Sequence, residues 1–136
     1  MTLHDKARRI RAVVLDVDGV LTDGRIGYGE DGYEVKFFNV KDGHAIKMLR
    51  RAGIRVGMLS GRSSAANRRR AGELSLDFVV ENARDKSGSL AGILEEHGLA
   101  PEECLYVGDD VVDLPVMKTC GLGVAVADAV PEVLEA

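Results

Sequence analysis

Two aspartates two positions apart, Asp16 and Asp18, follow directly after a short apolar run at residues 12–15. The run is rich in valine and carries no charge, which is typical of a buried strand. Because side chains alternate between the two faces of a strand, we expect both carboxylates to point the same way. Carboxylates that share one face repel each other and are costly to desolvate, so a divalent cation is the simplest compensation.

Other residues whose side chains could take part in catalysis or binding follow later apolar runs. Ser60 comes after the run at 54–59, Lys86 lies a few residues beyond the run at 78–80, and Asp109 lies just after the run that begins at Cys104. In a parallel sheet, ligand sites lie beyond the carboxyl ends of the strands. Residues that are far apart in the sequence are therefore expected to converge with the aspartate pair on one crevice.

The elements that must position these residues alternate between strand and helix. The sequence predicts five strands, at 12–15, 54–59, 78–80, 104–107 and 122–126. It predicts helices from the loop at 39–43 to about 52, and at 64–72, 86–97 and 114–119. This alternation is typical of an α/β fold with a doubly wound, Rossmann-like parallel sheet. We expect residues 1–136 to form a single domain with one core.

A β-hairpin is predicted at about residues 25–38, between the first strand and the first of these helices. Two short alternating runs flank the turn at 29–32. A lone hairpin is only marginally stable in water. Its aromatic residues, Tyr28, Tyr33 and Phe37, therefore suggest packing against the domain or against another subunit.

Composition excludes several classes of partner. The net charge of −4 argues against a general nucleic-acid-binding surface. No apolar stretch has the length of a signal peptide core or of a membrane span, so no membrane partner is expected. Cys104 and Cys120 have no metal-ligand spacing and are expected to be reduced, as in a cytoplasmic protein.

The expected cluster suits phosphoryl transfer, with Mg²⁺ between the carboxylates and the phosphate oxygens. Asp16 could attack phosphorus and form an aspartyl-phosphate. Asp18 could protonate the leaving oxygen and then deprotonate the attacking water. Ser60 could hold phosphoryl oxygens, and Lys86 could neutralise the charge of nucleophile and phosphate.

The aspartates at residues 109–113 would complete the expected site. Asp109 could supply a further metal ligand, with Asp113 orienting it from behind. The sequence leaves open whether Asp110 is a ligand or only a neighbour.

Four segments resemble the ordered motifs of the haloacid dehalogenase superfamily: residues 16–24, Ser60, Lys86 and residues 108–113. Dehalogenases lack the second aspartate and P-type ATPases carry threonine there, so Asp18 implies a phosphatase or a phosphomutase. The intervals between the motifs hold a hairpin but no helical domain, which implies a member without a helical cap.

Residues 23–24, the hairpin, residues 39–43, residues 60–62 and residues 108–110 are similar to the 3-deoxy-D-manno-octulosonate 8-phosphate phosphatase family. The resemblance implies hydrolysis of that sugar-acid phosphate to the free sugar acid and phosphate. It implies Mg²⁺ held by Asp16, Asp109 and the backbone carbonyl of Asp18. It also implies a homotetramer whose hairpins meet at the centre, acting in the cytoplasm in the synthesis of bacterial lipopolysaccharide.

The substrate contacts implied by the family are polar or loop residues on several elements. They are Asp18, Asn39, Val40, Lys41, Asp42, Gly43, Lys47, Arg62, Arg70 and Lys86. Arginine can give paired hydrogen bonds to a carboxylate or a phosphate. The family also carries a glycine-rich, arginine-containing tail after the last strand, which does not occur in residues 1–136. Substrate closure and turnover are expected to depend on it.

Three alternatives remain open. The first is a phosphatase for a nine-carbon keto-sugar-acid 9-phosphate, but related enzymes of that kind tend to carry glutamate at the position of Arg62. The second is a non-catalytic regulatory or assembly domain, which would have no use for an acid/base at Asp18. The third is a phosphorylation-switch receiver domain, whose acceptor aspartate ends the third strand, where this sequence has none.

Overall fold

Seven strands form two sheets in the computed structural model, which describes residues 1–136. The larger sheet has five parallel strands in the order β5-β4-β1-β6-β7. The strands are β1 Ala12–Leu15, β2 Gly27–Tyr28, β3 Glu34–Val35, β4 Arg55–Leu59, β5 Phe78–Val80, β6 Cys104–Gly108 and β7 Leu122–Ala125. The helices are α1 Leu3–Arg8, α2 Val40–Arg51, α3 Ala65–Leu74, α4 Lys86–Glu96, α5 Leu114–Thr119 and α6 Pro131–Glu135. The predicted α/β fold with five parallel strands is confirmed.

The central strand β1 is buried over its whole length. It pairs with β4 on one side and with β6 on the other, and Leu15 lies opposite both Met58 and Val107. Apolar clusters cover both faces of the sheet: one includes Val13 with Ile46, the other Val14 with Leu90. The residue after Leu15 therefore leaves the middle of the sheet at its carboxyl edge.

Helix α2 begins earlier than predicted. Residues 39–43 form its N-cap and first turn rather than a preceding loop, because the Asn39 side chain accepts a hydrogen bond from the Lys41 N–H at 2.8 Å. Asp42 lies in that first turn, where a negative charge favours the helix dipole. The segment expected to contact the substrate is thus a helix N-terminus.

The hairpin is present but has shorter strands than the predicted span. Only Gly27 with Val35 and Tyr28 with Glu34 are paired across it. Tyr28 and Tyr33 are each 69% exposed and Phe37 is 76% exposed, so none of these rings packs on the body of the protein.

Two short helices, one at each end of the chain, are not predicted from the sequence. The terminal helices α1 and α6 have six and five residues, and the apolar Leu3 of α1 is exposed. No helix combines the length and the apolar composition that a membrane crossing requires.

Candidate active site

Asp16 sits at the carboxyl end of β1, directly above the centre of the sheet. Its backbone N–H donates to the Val107 carbonyl at 3.1 Å, which continues the ladder between β1 and β6. Its Oδ1 accepts from the Val17 N–H at 2.8 Å and lies 3.3 Å from Lys86 Nζ. Burial raises the pKa of Asp16 to about 7, against the opposing pull of Lys86.

Three carboxylates meet at this edge: Asp16, Asp109 and Asp113 each offer one oxygen, all within 4.8 Å of one another. Asp109 follows β6, and Asp113 ends the short 3-10 helix at Val111–Asp113. The loop that carries Gly19 passes close to Asp109, and a Cβ at position 19 would collide with its carboxylate. A glycine is required there for this reason and because its φ is +87°.

Both carboxylate oxygens of Asp113 are already engaged. Oδ1 accepts from Lys86 Nζ at 2.7 Å and from the Tyr106 hydroxyl at 2.9 Å. Oδ2 accepts from the N–H groups of Asp109 and Asp110 at 3.1 and 3.3 Å. Burial alone would raise the pKa of Asp113, but the hydrogen bond and the charge of Lys86 hold it below its usual range. Asp113 therefore holds Lys86 and the backbone that carries Asp109 in place.

Asp16 and Asp109 are compensated less fully: Lys86 lies 3.3 Å from Asp16, yet burial still raises the pKa of both carboxyls. Two oxygen donors whose negative charge is only partly compensated suit a hard cation such as Mg²⁺. The residues present therefore fit a divalent metal at this edge. The Asp18 carboxylate lies outside this group of three, so only its backbone carbonyl is left for the predicted metal contact.

Lys86 connects the carboxylates from the first turn of α4, and its side chain is only 9% exposed. Asp85 caps that helix by accepting from the Gly88 N–H at 3.1 Å, which fixes where the lysine emerges. Burial would lower the pKa of Lys86, yet Asp16 and Asp113 raise it above its ordinary value. The ammonium is thus held in its charged form between two carboxylates.

Ser60 directly follows β4 at the same edge of the sheet. Its N–H donates to the Val80 carbonyl at 2.9 Å, and its Oγ accepts from the Arg62 N–H at 3.2 Å. The N-cap of α3 is Ser64, so Ser60 has no capping role. The structure brings Asp16, Ser60, Lys86 and Asp109 to the carboxyl ends of β1, β4 and β6 and to the first turn of α4.

The implied substrate contacts divide into two groups. Arg70 lies against the first turn of α2: its Nη2 donates to the Asn39 carbonyl at 3.3 Å, and its guanidinium lies 5.7 Å from the Phe38 ring centre. A cavity of about 410 Å³ borders this turn and is lined in part by Thr22 and Asp42. Lys47, in contrast, lines a separate exposed depression with Arg50 and Arg51, away from the carboxylates.

Sequence reasoning missed the residues that surround Asp18 and Asp113. Lys36 Nζ lies 2.9 Å from Asp18 Oδ1, and Arg62 contacts Glu34 from the hairpin. The alternation of side chains along β3 was a usable signal, because it places Glu34 and Lys36 on one face. Tyr106 is fully buried, and a buried hydroxyl needs a partner, but the sequence does not say which.

The raised pKa of Asp16 predicts a pH-dependent stability in the metal-free protein. Between its ordinary value of 3.8 and about 7, the folded state keeps this proton and the unfolded state releases it. The free energy of unfolding should therefore fall as pH rises from 5 to 7, by up to about 1.4 kcal/mol per pH unit from this group. Urea unfolding in a chelator measures the slope. Asp16→Asn should flatten it, and an identical slope in that variant would contradict the assignment.

Comparison with known proteins places this geometry in a family. The sequence profile of haloacid dehalogenase-like hydrolases matches residues 34–121. The 3-deoxy-D-manno-octulosonate 8-phosphate phosphatase KdsC of Escherichia coli (strain K12) is 43% identical over 126 residues, which is 93% of this chain and 67% of that protein.

Solved structures agree with the sequence match. The 3-deoxy-D-manno-octulosonate 8-phosphate phosphatase from Moraxella catarrhalis, in complex with a magnesium ion, a phosphate ion and KDO, superposes with a TM-score of 0.92 at 36% identity, covering 96% of this chain and 75% of that one. The cobalt-bound deoxy-D-mannose-octulosonate 8-phosphate phosphatase from Haemophilus influenzae superposes with a TM-score of 0.92 at 42% identity, covering 96% of this chain and 77% of that one. The chain belongs to the 3-deoxy-D-manno-octulosonate 8-phosphate phosphatase family of the haloacid dehalogenase-like hydrolases.

Proposed function

We propose that the chain is a magnesium-dependent phosphatase that hydrolyses 3-deoxy-D-manno-octulosonate 8-phosphate to the free sugar acid and phosphate. The observation that carries the proposal is the Asp16 carboxylate at the end of the central strand, 3.3 Å from Lys86 and grouped with Asp109 and Asp113. The family membership and the relatives' names support the substrate.

The reaction has two halves. In the first, an Asp16 oxygen bonds to phosphorus, the bond from phosphorus to the sugar oxygen breaks, and Asp18 gives its proton to that oxygen. In the second, Asp18 takes a proton from water, the water oxygen bonds to phosphorus, and the Asp16–phosphorus bond breaks to release phosphate. Magnesium bound by Asp16, Asp109 and the Asp18 carbonyl would neutralise charge on the phosphoryl oxygens.

Lys86, Asp113 and Ser60 balance the charge of the nucleophile and orient the phosphoryl group. Lys86 balances the negative charge of Asp16 and remains fixed because Asp113 holds its other side. Ser60 lies at the end of the neighbouring strand β4, where its hydroxyl can donate to a phosphoryl oxygen. All three groups lie on rigid elements of the sheet edge, which suits a reaction that depends on preorganised charges.

Arg62, Arg70 and the first turn of α2 would recognise the sugar acid. Arg70 lies against that turn, and the Nη1 atom of Arg62 is buried without a hydrogen-bond partner beside Asp18. This donor favours a carboxylate-bearing substrate. Both candidate sugar acids bear a carboxylate, so the preference for the eight-carbon substrate rests on the residue type: phosphatases for the nine-carbon alternative tend to carry glutamate at the position of Arg62.

We also propose a cytoplasmic homotetramer joined through the hairpin. Its exposed rings at Tyr28, Tyr33 and Phe37 offer an apolar surface for contact between subunits.

Phosphate release from a panel of sugar-acid phosphates tests the proposed function. With Mg²⁺, the eight-carbon substrate should be hydrolysed with a higher kcat/KM than the nine-carbon 9-phosphate. A chelator should abolish both activities, because the carboxylates of Asp16 and Asp109 then repel the phosphate. Hydrolysis of neither substrate, together with Mg²⁺ binding, would favour the non-catalytic regulatory or assembly domain. A reversed preference would favour the nine-carbon alternative.

A further inference from the structure

Lys36 follows the hairpin strand β3 and has an unusual position. Its side chain is 0% exposed, although its neighbours Val35 and Phe37 are 44% and 76% exposed. Lysine is almost never fully buried unless it is paired. Its Nζ lies 2.9 Å from Asp18 Oδ1 and donates to Asn67 Oδ1 at 3.1 Å.

A second pair from the same hairpin completes the arrangement. Glu34, two residues before Lys36, accepts a hydrogen bond from Arg62, and its Oε2 lies 3.8 Å from Lys36 Nζ. Arg62 Nη1 lies 3.8 Å from Asp18 Oδ2, which is beyond hydrogen-bond distance. Two cations thus face two anions, so the buried charges balance one another.

The two oxygens of Asp18 are therefore not equivalent. Oδ1 is buried 2.9 Å from the Lys36 ammonium, whereas Oδ2 has no cation closer than Arg62 Nη1 at 3.8 Å and is left to face a ligand. A carboxyl group that moves a proton must present one defined oxygen to the reacting atom, because transfer requires hydrogen-bond distance. Because the Lys36 ammonium occupies the side of Oδ1, Oδ2 is the oxygen that faces the reacting atom.

We propose that Lys36 is a positioning residue for proton transfer by Asp18, so that the hairpin supplies part of the acid/base machinery within its own subunit. The inference rests on the proposed function. In the first half-reaction the proton moves from Asp18 Oδ2 to the leaving sugar oxygen as its bond to phosphorus breaks. Lys36 keeps its own protons and fixes the plane of the carboxyl group through Oδ1.

This role can be separated from that of a structural anchor for the hairpin. An alkyl phosphate needs a proton on its leaving oxygen, whereas a nitrophenolate leaves without one. Loss of orientation at Asp18 should therefore slow the first kind of substrate selectively. Loss of folded protein would slow both kinds equally, so the ratio of the two kcat/KM values does not depend on the folded fraction.

The test compares benzyl phosphate with 4-nitrophenyl phosphate, using wild type, Lys36→Met and Lys36→Arg with Mg²⁺. Lys36→Met should lower kcat/KM for benzyl phosphate by about tenfold to a hundredfold, and for 4-nitrophenyl phosphate by less than about threefold. Lys36→Arg, which keeps a cation, should restore most of the ratio. If Lys36→Met does not fold, Lys36→Gln replaces it in the test. In Lys36→Gln, the ratio of kcat/KM for benzyl phosphate to kcat/KM for 4-nitrophenyl phosphate should fall by about fivefold or more.

The outcomes distinguish the inference from the proposed function. An unchanged ratio in Lys36→Met or Lys36→Gln, with wild type active on both substrates, would overturn the positioning role alone. Wild type that releases phosphate from neither these substrates nor 3-deoxy-D-manno-octulosonate 8-phosphate would overturn the proposed function and the inference with it.

Discussion

Asp16→Asn is expected to lower phosphate release from 3-deoxy-D-manno-octulosonate 8-phosphate by at least about a thousandfold, because an amide cannot form the acyl phosphate. The same change removes a buried carboxyl whose pKa is raised to about 7. Without metal at pH 7, the variant should therefore unfold at the same or a higher urea concentration than wild type. Steady-state phosphate release and urea unfolding measure the two effects.

Glu96→Gln is a matched control, since it also turns a carboxylate into an amide and Glu96 is exposed at the C-terminal end of α4, about 15 Å along the helix from Lys86. It should leave kcat within about twofold of wild type, as is usual for surface substitutions. Activity of Asp16→Asn close to that of the control would exclude Asp16 as the nucleophile.

Lys86→Met is expected to cause the second large loss, of about a hundredfold or more in kcat/KM. Lys86 is the main group that opposes the rise in the pKa of Asp16, so its removal should raise that pKa further above 7. Protons then compete more strongly with Mg²⁺ for the attacking carboxylate. The acidic limb of the profile of kcat/KM against pH should move to higher pH, and its midpoint is the measurement.

Lys86→Arg provides the control for charge, because it keeps a cation between Asp16 and Asp113. Its acidic limb should stay near that of wild type even if its longer side chain lowers kcat. Lys86→Met should also lose about 3 kcal/mol of stability, since it leaves buried carboxylates unpaired. An acidic limb that does not move in Lys86→Met would contradict the coupling between Lys86 and Asp16.

The parallel sheet and the convergence of Asp16, Ser60, Lys86 and Asp109 could be predicted because both depend on local patterns. Short apolar runs bounded by glycine and polar residues define the strands, and the topology of a parallel sheet then brings their carboxyl ends together. The sequence misplaces the start of α2 because it predicts a loop at Gly43, whereas Gly43 packs against the Arg70 guanidinium inside the helix.

The environment of Asp18 could not be predicted in the same way. Lys36 and Asn67 are 31 residues apart and meet only because the hairpin folds back over α3. The engagement of Asp113 by Tyr106 likewise depends on the orientation of side chains across a strand and a 3-10 turn. Such contacts are set by tertiary packing, and the sequence gives only the face on which each residue lies.

The central claim is that Asp16 carries the phosphoryl group, and rapid acid quench tests it most directly. The enzyme is mixed with substrate labelled in its phosphoryl group, Mg²⁺ is present, and the protein is quenched within one turnover. Label should appear on the peptide that contains Asp16, no later than it appears in free phosphate, and never in Asp16→Asn. Phosphate released by Asp16→Asn at the wild-type rate, with no labelled protein at any time, would contradict the account.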